Sequence, residues 1–168
     1  MGFSIEPLNK GHNRKSFKCG QPDLDDWFQQ RASQDERRNI ARVFVATDEE
    51  SGVVGFYSLS SFTLAMDDVP EEISGKLPRY DVIPAALIGR LARDVRVRGK
   101  GIGGLLLADA VRRILIASQS IAVFAIVVEA KDGVASAFYQ GFGFQPFPLR
   151  PQRLFLLTST ATAAFQRI

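Results

Sequence analysis

The sequence has few of the residues that metal centres, disulfides and nucleophilic triads need. Its 168 residues include one cysteine, Cys19, and one histidine, His12. A single cysteine excludes an internal disulfide and fits a reducing compartment, whereas a single histidine leaves neither a His-rich metal site nor a supported Ser-His or Cys-His pair. We therefore expect no metal, and we interpret both residues as structural or exposed.

Long apolar runs are also missing. The longest, residues 114–128, is interrupted by Ser118, Gln119 and Ser120, which predicts a helix end followed by a buried strand, with no membrane span. The first residues show no basic stretch followed by an apolar run, so we expect no secretory signal and a cytoplasmic protein. A content of 46% hydrophobic and 23% charged residues predicts one domain over residues 1–168.

Hydrophobic patterning and turn residues predict strands and helices in alternation. The predicted elements are strand 3–8, a helix from Pro22, hairpin strands 42–47 and 53–60, a proline-punctuated connection 66–84, strand 86–97, helix 103–117, strand 121–129, helix 136–141 and strand 154–157. Strand 121–129 is apolar at nearly every position, as expected for a strand that is covered on both faces and lies parallel to strand 86–97. This order predicts a mixed sheet with helices on both sides.

One stretch, residues 91–107, joins an apolar strand to a helix through a loop of glycines and basic residues. A glycine-rich turn that opens a helix exposes backbone N–H groups at the positive end of the helix dipole, and it has no side chains to block phosphate oxygens. Arg96, Arg98 and Lys100 add positive charge. The stretch therefore predicts a pyrophosphate site.

Two nucleotide-binding motifs compete for this loop. Gly99, Gly101 and Gly104 satisfy the dinucleotide pattern G-x-G-x-x-G, and Glu129 follows at the end of the next strand. However, only about forty residues remain after that strand, too few for the second half of a doubly wound fold. A P-loop needs Lys and then Ser or Thr after its second glycine, and Leu105 follows here instead.

A third pattern, Arg96-x-x-Gly99-x-Gly101, resembles the R/Q-x-x-G-x-G/A signature of the GNAT acetyltransferases. In that family the loop amides hold the pyrophosphate of acetyl coenzyme A. The glycines alone leave two interpretations open, a coenzyme A loop and an ordinary helix-capping loop.

A second motif favours the coenzyme A loop. Residues 135–144 resemble the A-x-x-F-Y-x-x-F-G-F close of the GNAT superfamily. Phe138 and Phe142 are four residues apart, so we expect both on one helix face and in the core, with Tyr139 about 100° away. In the family this tyrosine protonates the departing thiolate, so the resemblance implies that Tyr139 is catalytic. The alternative is a tyrosine packed at a helix end with a bonded hydroxyl.

The GNAT resemblance implies an α/β (α+β) fold with a mixed, mostly antiparallel sheet, a splayed parallel pair formed by the fourth and fifth strands, and helices on both faces. It implies acetyl coenzyme A as co-substrate. It also implies cofactor contacts from the end of the strand, the loop, the start of the helix and one aromatic residue: Leu91, Ala92, Arg93, Arg96, Val97, Arg98, Gly99, Lys100, Gly101, Ile102, Gly103, Gly104 and Phe138.

The positive charge is clustered as well. The formal net charge is +3, and arginines crowd both the stretch 90–98 and the segment 31–42. This surplus favours a larger anion than coenzyme A, and nucleic acid is the obvious candidate; a solvated basic face is the alternative.

The chain also resembles one subgroup nearly end to end: the GNAT toxins of bacterial toxin-antitoxin modules, which acetylate the amino group of aminoacyl-tRNA. The matching pieces are Phe17-x-Cys19-Gly20-x-x-x-Leu24-x-x-Trp27, 55–60, 83–92, 109–113 and 138–144. Arg93 departs from the family, which usually has an apolar residue there, and so does Gly141, where a bulkier residue is common.

This resemblance implies aminoacyl-tRNA as substrate, a ribbon-helix-helix antitoxin encoded nearby, and a homodimer. Arg31, Arg38, Arg90 and Arg93 are the predicted phosphate contacts. Two alternatives stay open: acetylation of a small amine or protein N-terminus, and a noncatalytic module that binds coenzyme A.

Overall fold

The computed structural model describes residues 2–166. Its strands are β1 (Ser4–Pro7), β2 (Arg42–Asp48), β3 (Gly52–Ala65), β4 (Val82–Arg93), β5 (Ala125–Glu129), β6 (Gln145–Phe147) and β7 (Arg150–Leu157). Its helices are α1 (Pro22–Gln30), α2 (Ala32–Arg37), α3 (Glu71–Ser74), α4 (Ile102–Ala117), α5 (Gly133–Gly141) and α6 (Thr158–Gln166), with short 3-10 turns at Met66–Asp68 and Val95–Val97.

The strands form one mixed sheet in the order β1-β2-β3-β4-β5-β7-β6. The pairs β1/β2, β2/β3, β5/β7 and β6/β7 are antiparallel. β4 and β5 are parallel, with residues 85–88 opposite residues 125–128. The predicted mixed sheet with one parallel pair is therefore confirmed.

The chain comprises two compact units, one of residues 1–60 and 89–110 and the other of residues 61–88 and 111–168. In the first unit, the rings of Phe17, Trp27 and Phe28 surround Phe56, and the Phe28 and Phe56 rings stack 4.2 Å apart. Trp27 and Phe28 come from one face of α1, as its apolar spacing predicts. The single domain over residues 1–168 stays a prediction.

In the second unit, the core gathers buried side chains from β3, β4, β5 and β7, including Leu64, Ile83, Val127 and Phe155. All residues of β5 before Glu129 are buried, as a strand covered on both faces requires.

Several predicted boundaries were wrong. The strand predicted over 86–97 begins at Val82 and ends at Arg93, because Asp94 caps a 3-10 turn. The strand predicted over 121–129 begins at Ala125, and Ile121 is 74% exposed. The helix predicted from Pro22 is divided at Arg31 into α1 and α2, and the short strand β6 and the helix α6 were not predicted.

Candidate active site

A buried carboxylate anchors the predicted phosphate loop. Asp94 follows β4 directly and its side chain is 1% exposed. It accepts hydrogen bonds from the amide of Lys18 at 3.0 Å and from the amide of Arg96 at 2.9 Å. The backbone of the same turn is tied to its neighbours, with Asp94 N donating to Val54 O and Val95 N donating to Lys18 O. Asp94 therefore fixes where β4 ends and the loop begins.

Arg96 completes this anchor. Its Nε lies 2.9 Å from Asp94 Oδ1, its Nη2 lies 3.0 Å from Asp94 Oδ2, and its guanidinium also donates to the carbonyls of Ser51 and Val53. Burial alone raises the pKa of Asp94, but the hydrogen bonds from Arg96 and Lys18 outweigh it and leave that pKa below its ordinary value. The Arg96 guanidinium thus stabilises the loop through these hydrogen bonds. The sequence had predicted it only as a cation beside the phosphates.

The loop itself presents backbone rather than side chains. Gly99 and Gly101 have φ values of +81° and +77°, and nothing lies within 4 Å of a Cβ built at either position. The side chains of Val97 and Ile102 are buried, so these two residues face the loop surface with their backbone alone. Arg98 and Lys100 are exposed beside the glycines. An open, glycine-lined, positively charged loop fits a pyrophosphate group.

The start of α4 supplies further donors. The first turn of an α-helix leaves its N–H groups without intrahelical acceptors, and here that turn holds Ile102, Gly103 and Gly104. Gly55 of β3 lets this turn approach the sheet, because a Cβ there would meet Leu106 Cδ1 at 2.9 Å and Ala92 O at 3.2 Å. The helix end is therefore held by packing as well as by the loop.

The last residues of β4 precede this loop. Ala92 is buried, and Leu91 and Arg93 are half-buried. Whether their amides contact an acetyl group stays a prediction, as do the cofactor contacts predicted for the loop, for Gly103 and Gly104, and for Phe138.

Tyr139 lies in the second unit, on α5. Its ring is 7% exposed and meets the edges of Phe138 and Phe144. Burial raises the pKa of Tyr139 to about 12. Among the described residues, the only fully buried side-chain oxygen or nitrogen without a partner is Thr158 Oγ1. The Tyr139 hydroxyl also has no hydrogen-bond partner among residues 2–166. Because it is not one of these fully buried atoms, it is still accessible to solvent.

The ring is packed at a helix end, as in the alternative interpretation, but its hydroxyl lacks the bonded partner of that interpretation, and the catalytic role of Tyr139 stays a prediction. The prediction that Phe142 lies in the core was wrong, because Phe142 is 48% exposed. Phe142 is the C-cap residue of α5, and the chain turns away at Gly143 with a φ of +96°. The Phe142 ring still meets the Phe138 ring edge-on at 5.2 Å, so the spacing places both on one face as predicted. That face is not in the core, because Phe138 is only half-buried and α5 ends at Phe142.

Glu129, at the end of β5, is held by an ion pair. Its Oε1 accepts hydrogen bonds from Arg153 Nε at 3.1 Å and Nη2 at 2.7 Å. Arg153 in turn lies over the Phe62 ring, 5.1 Å from its centroid. These contacts support a structural role for Glu129 over a role as a base.

The four arginines predicted to contact tRNA lie in the first unit. Arg31 joins α1 to α2, Arg38 caps the C-terminus of α2, and both are exposed. Arg90 and Arg93 are half-buried on β4. The Arg90 guanidinium lies 4.0 Å from the centroid of the Trp27 ring, a contact that sequence reasoning missed.

Over residues 2–166, no cluster of His, Cys, Asp or Glu could hold a metal ion. Within that range, no helix has both the length and the apolar content to span a membrane.

A glycine-lined amide loop at the start of α4 has the form expected of a protein that binds the phosphates of a nucleotide. The model of the acetyltransferase (GNAT) domain family matches residues 39–146. The chain therefore belongs to the GNAT acetyltransferase family, as the resemblance implied.

Two relatives within this family are named as toxins. The chain is 36% identical to a probable toxin TacT of Sinorhizobium fredii, with 93% of this chain and 91% of the relative covered. It is 40% identical to a tRNA-acetylating toxin of Mycobacterium tuberculosis, over 88% of this chain and 87% of the relative.

Solved structures show the same fold. AtaT complexed with acetyl-methionyl-tRNAfMet has a TM-score of 0.89 and 27% identity, covering 98% of this chain and 99% of that one. AtaTR bound with AcCoA has a TM-score of 0.84 and 27% identity, covering 97% and 98%. A tyrosine-to-phenylalanine mutant of AtaT bound to the C-terminus of the antitoxin AtaR has a TM-score of 0.82 and 25% identity, covering 97% and 98%.

Proposed function

We propose that this protein transfers the acetyl group of acetyl coenzyme A to the α-amino group of aminoacyl-tRNA and so blocks translation. The observation that carries the proposal is the loop held by Asp94, with open space over Gly99 and Gly101. The names of the two relatives and the tRNA complex of AtaT support aminoacyl-tRNA as the acceptor.

In this proposal the loop amides and the first turn of α4 hold the pyrophosphate, with Arg98 and Lys100 adding charge. Backbone N–H groups near residues 91–93 polarise the thioester carbonyl. The AtaTR complex with AcCoA supports acetyl coenzyme A as co-substrate.

The transfer is direct. The neutral amine attacks the carbonyl carbon, a C–N bond forms, the C–S bond breaks, and the amine releases its proton to solvent. Tyr139 hydrogen-bonds the departing sulfur, gives it a proton and is reprotonated from solvent. Its raised pKa keeps the phenol protonated at neutral pH, and its unpartnered hydroxyl is available for this donation. An α-amino group titrates near 7.7 to 8.0, and lower beside an ester, so no strong base is required.

A cluster of arginines also supports tRNA as the acceptor. Arg31, Arg38, Arg90 and Arg93 are proposed to contact its phosphates, and such contacts make binding weaken steeply as salt rises. We further propose cytoplasmic action, a homodimer, and silencing by a ribbon-helix-helix antitoxin; the AtaT complex with the AtaR C-terminus supports the antitoxin.

The test offers four acceptors to the protein with labelled acetyl coenzyme A: bulk charged tRNA, the same tRNA after deacylation, a polyamine and a peptide. We expect label on charged tRNA alone, because deacylated tRNA has the same phosphates but no α-amino group. Label on the polyamine or peptide with none on charged tRNA would assign the protein to small amines or protein N-termini. No transfer to any amine would favour a noncatalytic module.

A further inference from the structure

Arg90 is a half-buried cation that stacks on an aromatic ring. Its guanidinium lies over the face of Trp27 at 4.0 Å, and no carbonyl or carboxylate oxygen of residues 2–166 accepts a hydrogen bond from it. A guanidinium carries five N–H donors in one plane. Stacking covers one face of that plane and leaves its N–H edge available for an anion.

The indole beneath it is fixed. Trp27 is 4% exposed, stacks on Phe56 at 5.9 Å, and donates from Nε1 to Asp35 Oδ2 at 2.9 Å. Asp35 belongs to α2 and Trp27 to α1, so this hydrogen bond also ties the two helices together. The stacking surface offered to Arg90 is therefore rigid.

The charges around Arg90 favour the binding of a further anion. Burial and the nearby charge of Arg31 lower the pKa of Arg90, and the charge of Asp35 opposes them. Among residues 2–166, the only carboxylate whose charge acts on Arg90 in this way, Asp35, already accepts the indole N–H of Trp27. A bound phosphate would relieve the repulsion between the two arginines.

We propose that Trp27 is a positioning residue for tRNA: its ring holds the Arg90 guanidinium so that the N–H edge grips a phosphate of the substrate, with Arg31 beside it. This inference rests on the proposed function and deepens it, because it assigns an uncharged core residue to the recognition of RNA.

The first measurement is the salt dependence of binding to bulk deacylated tRNA. Arg90→Gln is expected to lower the slope of log K against log salt by about 0.7 to 0.9, the value of one phosphate contact. Trp27→Leu is expected to lower it nearly as much although it removes no charge, and Trp27→Phe, which keeps a weaker stack, by less. An unchanged slope in both Trp27 variants, with Arg90→Gln lowered, would overturn the inference.

The second measurement is steady-state kinetics with bulk aminoacyl-tRNA. Trp27→Phe and Trp27→Leu should raise KM for the tRNA about 3-fold to 30-fold and leave KM for acetyl coenzyme A unchanged. A merely structural role would instead change both constants or the melting temperature alone. If Trp27→Leu does not fold, Trp27→Phe gives the same answer at smaller amplitude.

A double-mutant cycle decides whether Trp27 acts through Arg90. The variant with both Trp27→Phe and Arg90→Gln should match Arg90→Gln alone, whereas additive losses would show that Trp27 acts by another route. Arg14→Gln is the matched control and should leave the salt slope unchanged, because Arg14 is also half-buried over an aromatic ring, Phe28, but donates from its Nη1 to Phe28 O. If the wild-type protein neither binds tRNA nor acetylates charged tRNA, the proposed function itself fails, which is a different outcome.

Discussion

Asp94→Asn removes a negative charge from a carboxylate that is 1% exposed and accepts hydrogen bonds from Lys18 N and from three nitrogens of Arg96. Hydrogen bonds to a charged group contribute about 1.5 to 3 kcal/mol. The side chain of Arg96 is 39% exposed, so water solvates the cation that is left behind and the loss stays below that of a fully buried pair. We expect a loss of about 2 kcal/mol in the free energy of unfolding.

Thermal unfolding provides the assay. For a chain of this size about 2 kcal/mol lowers Tm by about 4 to 8 °C. The pKa of Asp94 is lowered in the folded state, so its stabilisation is present above the ordinary aspartate pKa near 3.9 and is lost as pH falls through the folded value. The difference in Tm between wild type and variant should therefore persist at neutral pH and vanish only in strong acid.

The same variant tests the link from anchor to function. If the loop is disordered in the variant, ligand binding must order it again, at a free-energy cost of up to about 2 kcal/mol. Acetyl coenzyme A would then bind up to about 30-fold more weakly. Glu36→Gln is the control, since Glu36 pairs with Arg42, whose side chain is 56% exposed, and such a solvated pair contributes below about 1 kcal/mol. An Asp94→Asn protein with wild-type Tm and wild-type affinity would refute the assignment of Asp94 as the anchor.

Four further predictions concern Tyr139 and three glycines. Tyr139→Phe should lower kcat about 100-fold or more with little change in acetyl coenzyme A affinity, and a variant as fast as wild type would reject the acid role. Because the pKa of Tyr139 is raised to about 12, the wild-type rate should rise as the amine deprotonates and show no fall from this phenol below about pH 10. Gly101→Ala and Gly52→Ala both force alanine into positive φ and should each cost about 1 kcal/mol, but calorimetry should show weaker acetyl coenzyme A binding only for Gly101→Ala. Gly55→Ala should cost about 1 to 3 kcal/mol in chemical denaturation, because its Cβ meets Leu106 and the Ala92 carbonyl; a neutral effect would contradict the close packing of α4 on β3.

Local pattern was enough to predict the mixed sheet and the glycine loop. The apolar stretch of β5 and the glycines before α4 each have a short-range signature, and Pro22 with Asp23 and Asp25 in the first turn correctly predicts the start of α1. The fate of Phe142 was missed because it depends on where α5 stops, and helix ends are set by local hydrogen bonds that periodicity does not describe.

The anchor and the stacked arginine could not be predicted because both depend on contacts between distant parts of the chain. Asp94 meets Lys18 across 76 residues, and Arg90 lies over a tryptophan of α1. One signal was present in the sequence: Asp94 is the single acid within the basic stretch 90–100, directly after an apolar strand. An isolated acid in that position is a candidate for a buried ion pair.

The most direct test of the central claim identifies the atom that receives the acetyl group. Charged tRNA is incubated with the protein and acetyl coenzyme A, digested with nuclease, and the terminal aminoacyl-adenosine is analysed by mass spectrometry. The account predicts an acetyl group on the α-amino nitrogen of that fragment, and much less of it with Tyr139→Phe. An unmodified aminoacyl-adenosine, or an acetyl group on a base of the tRNA, would contradict it.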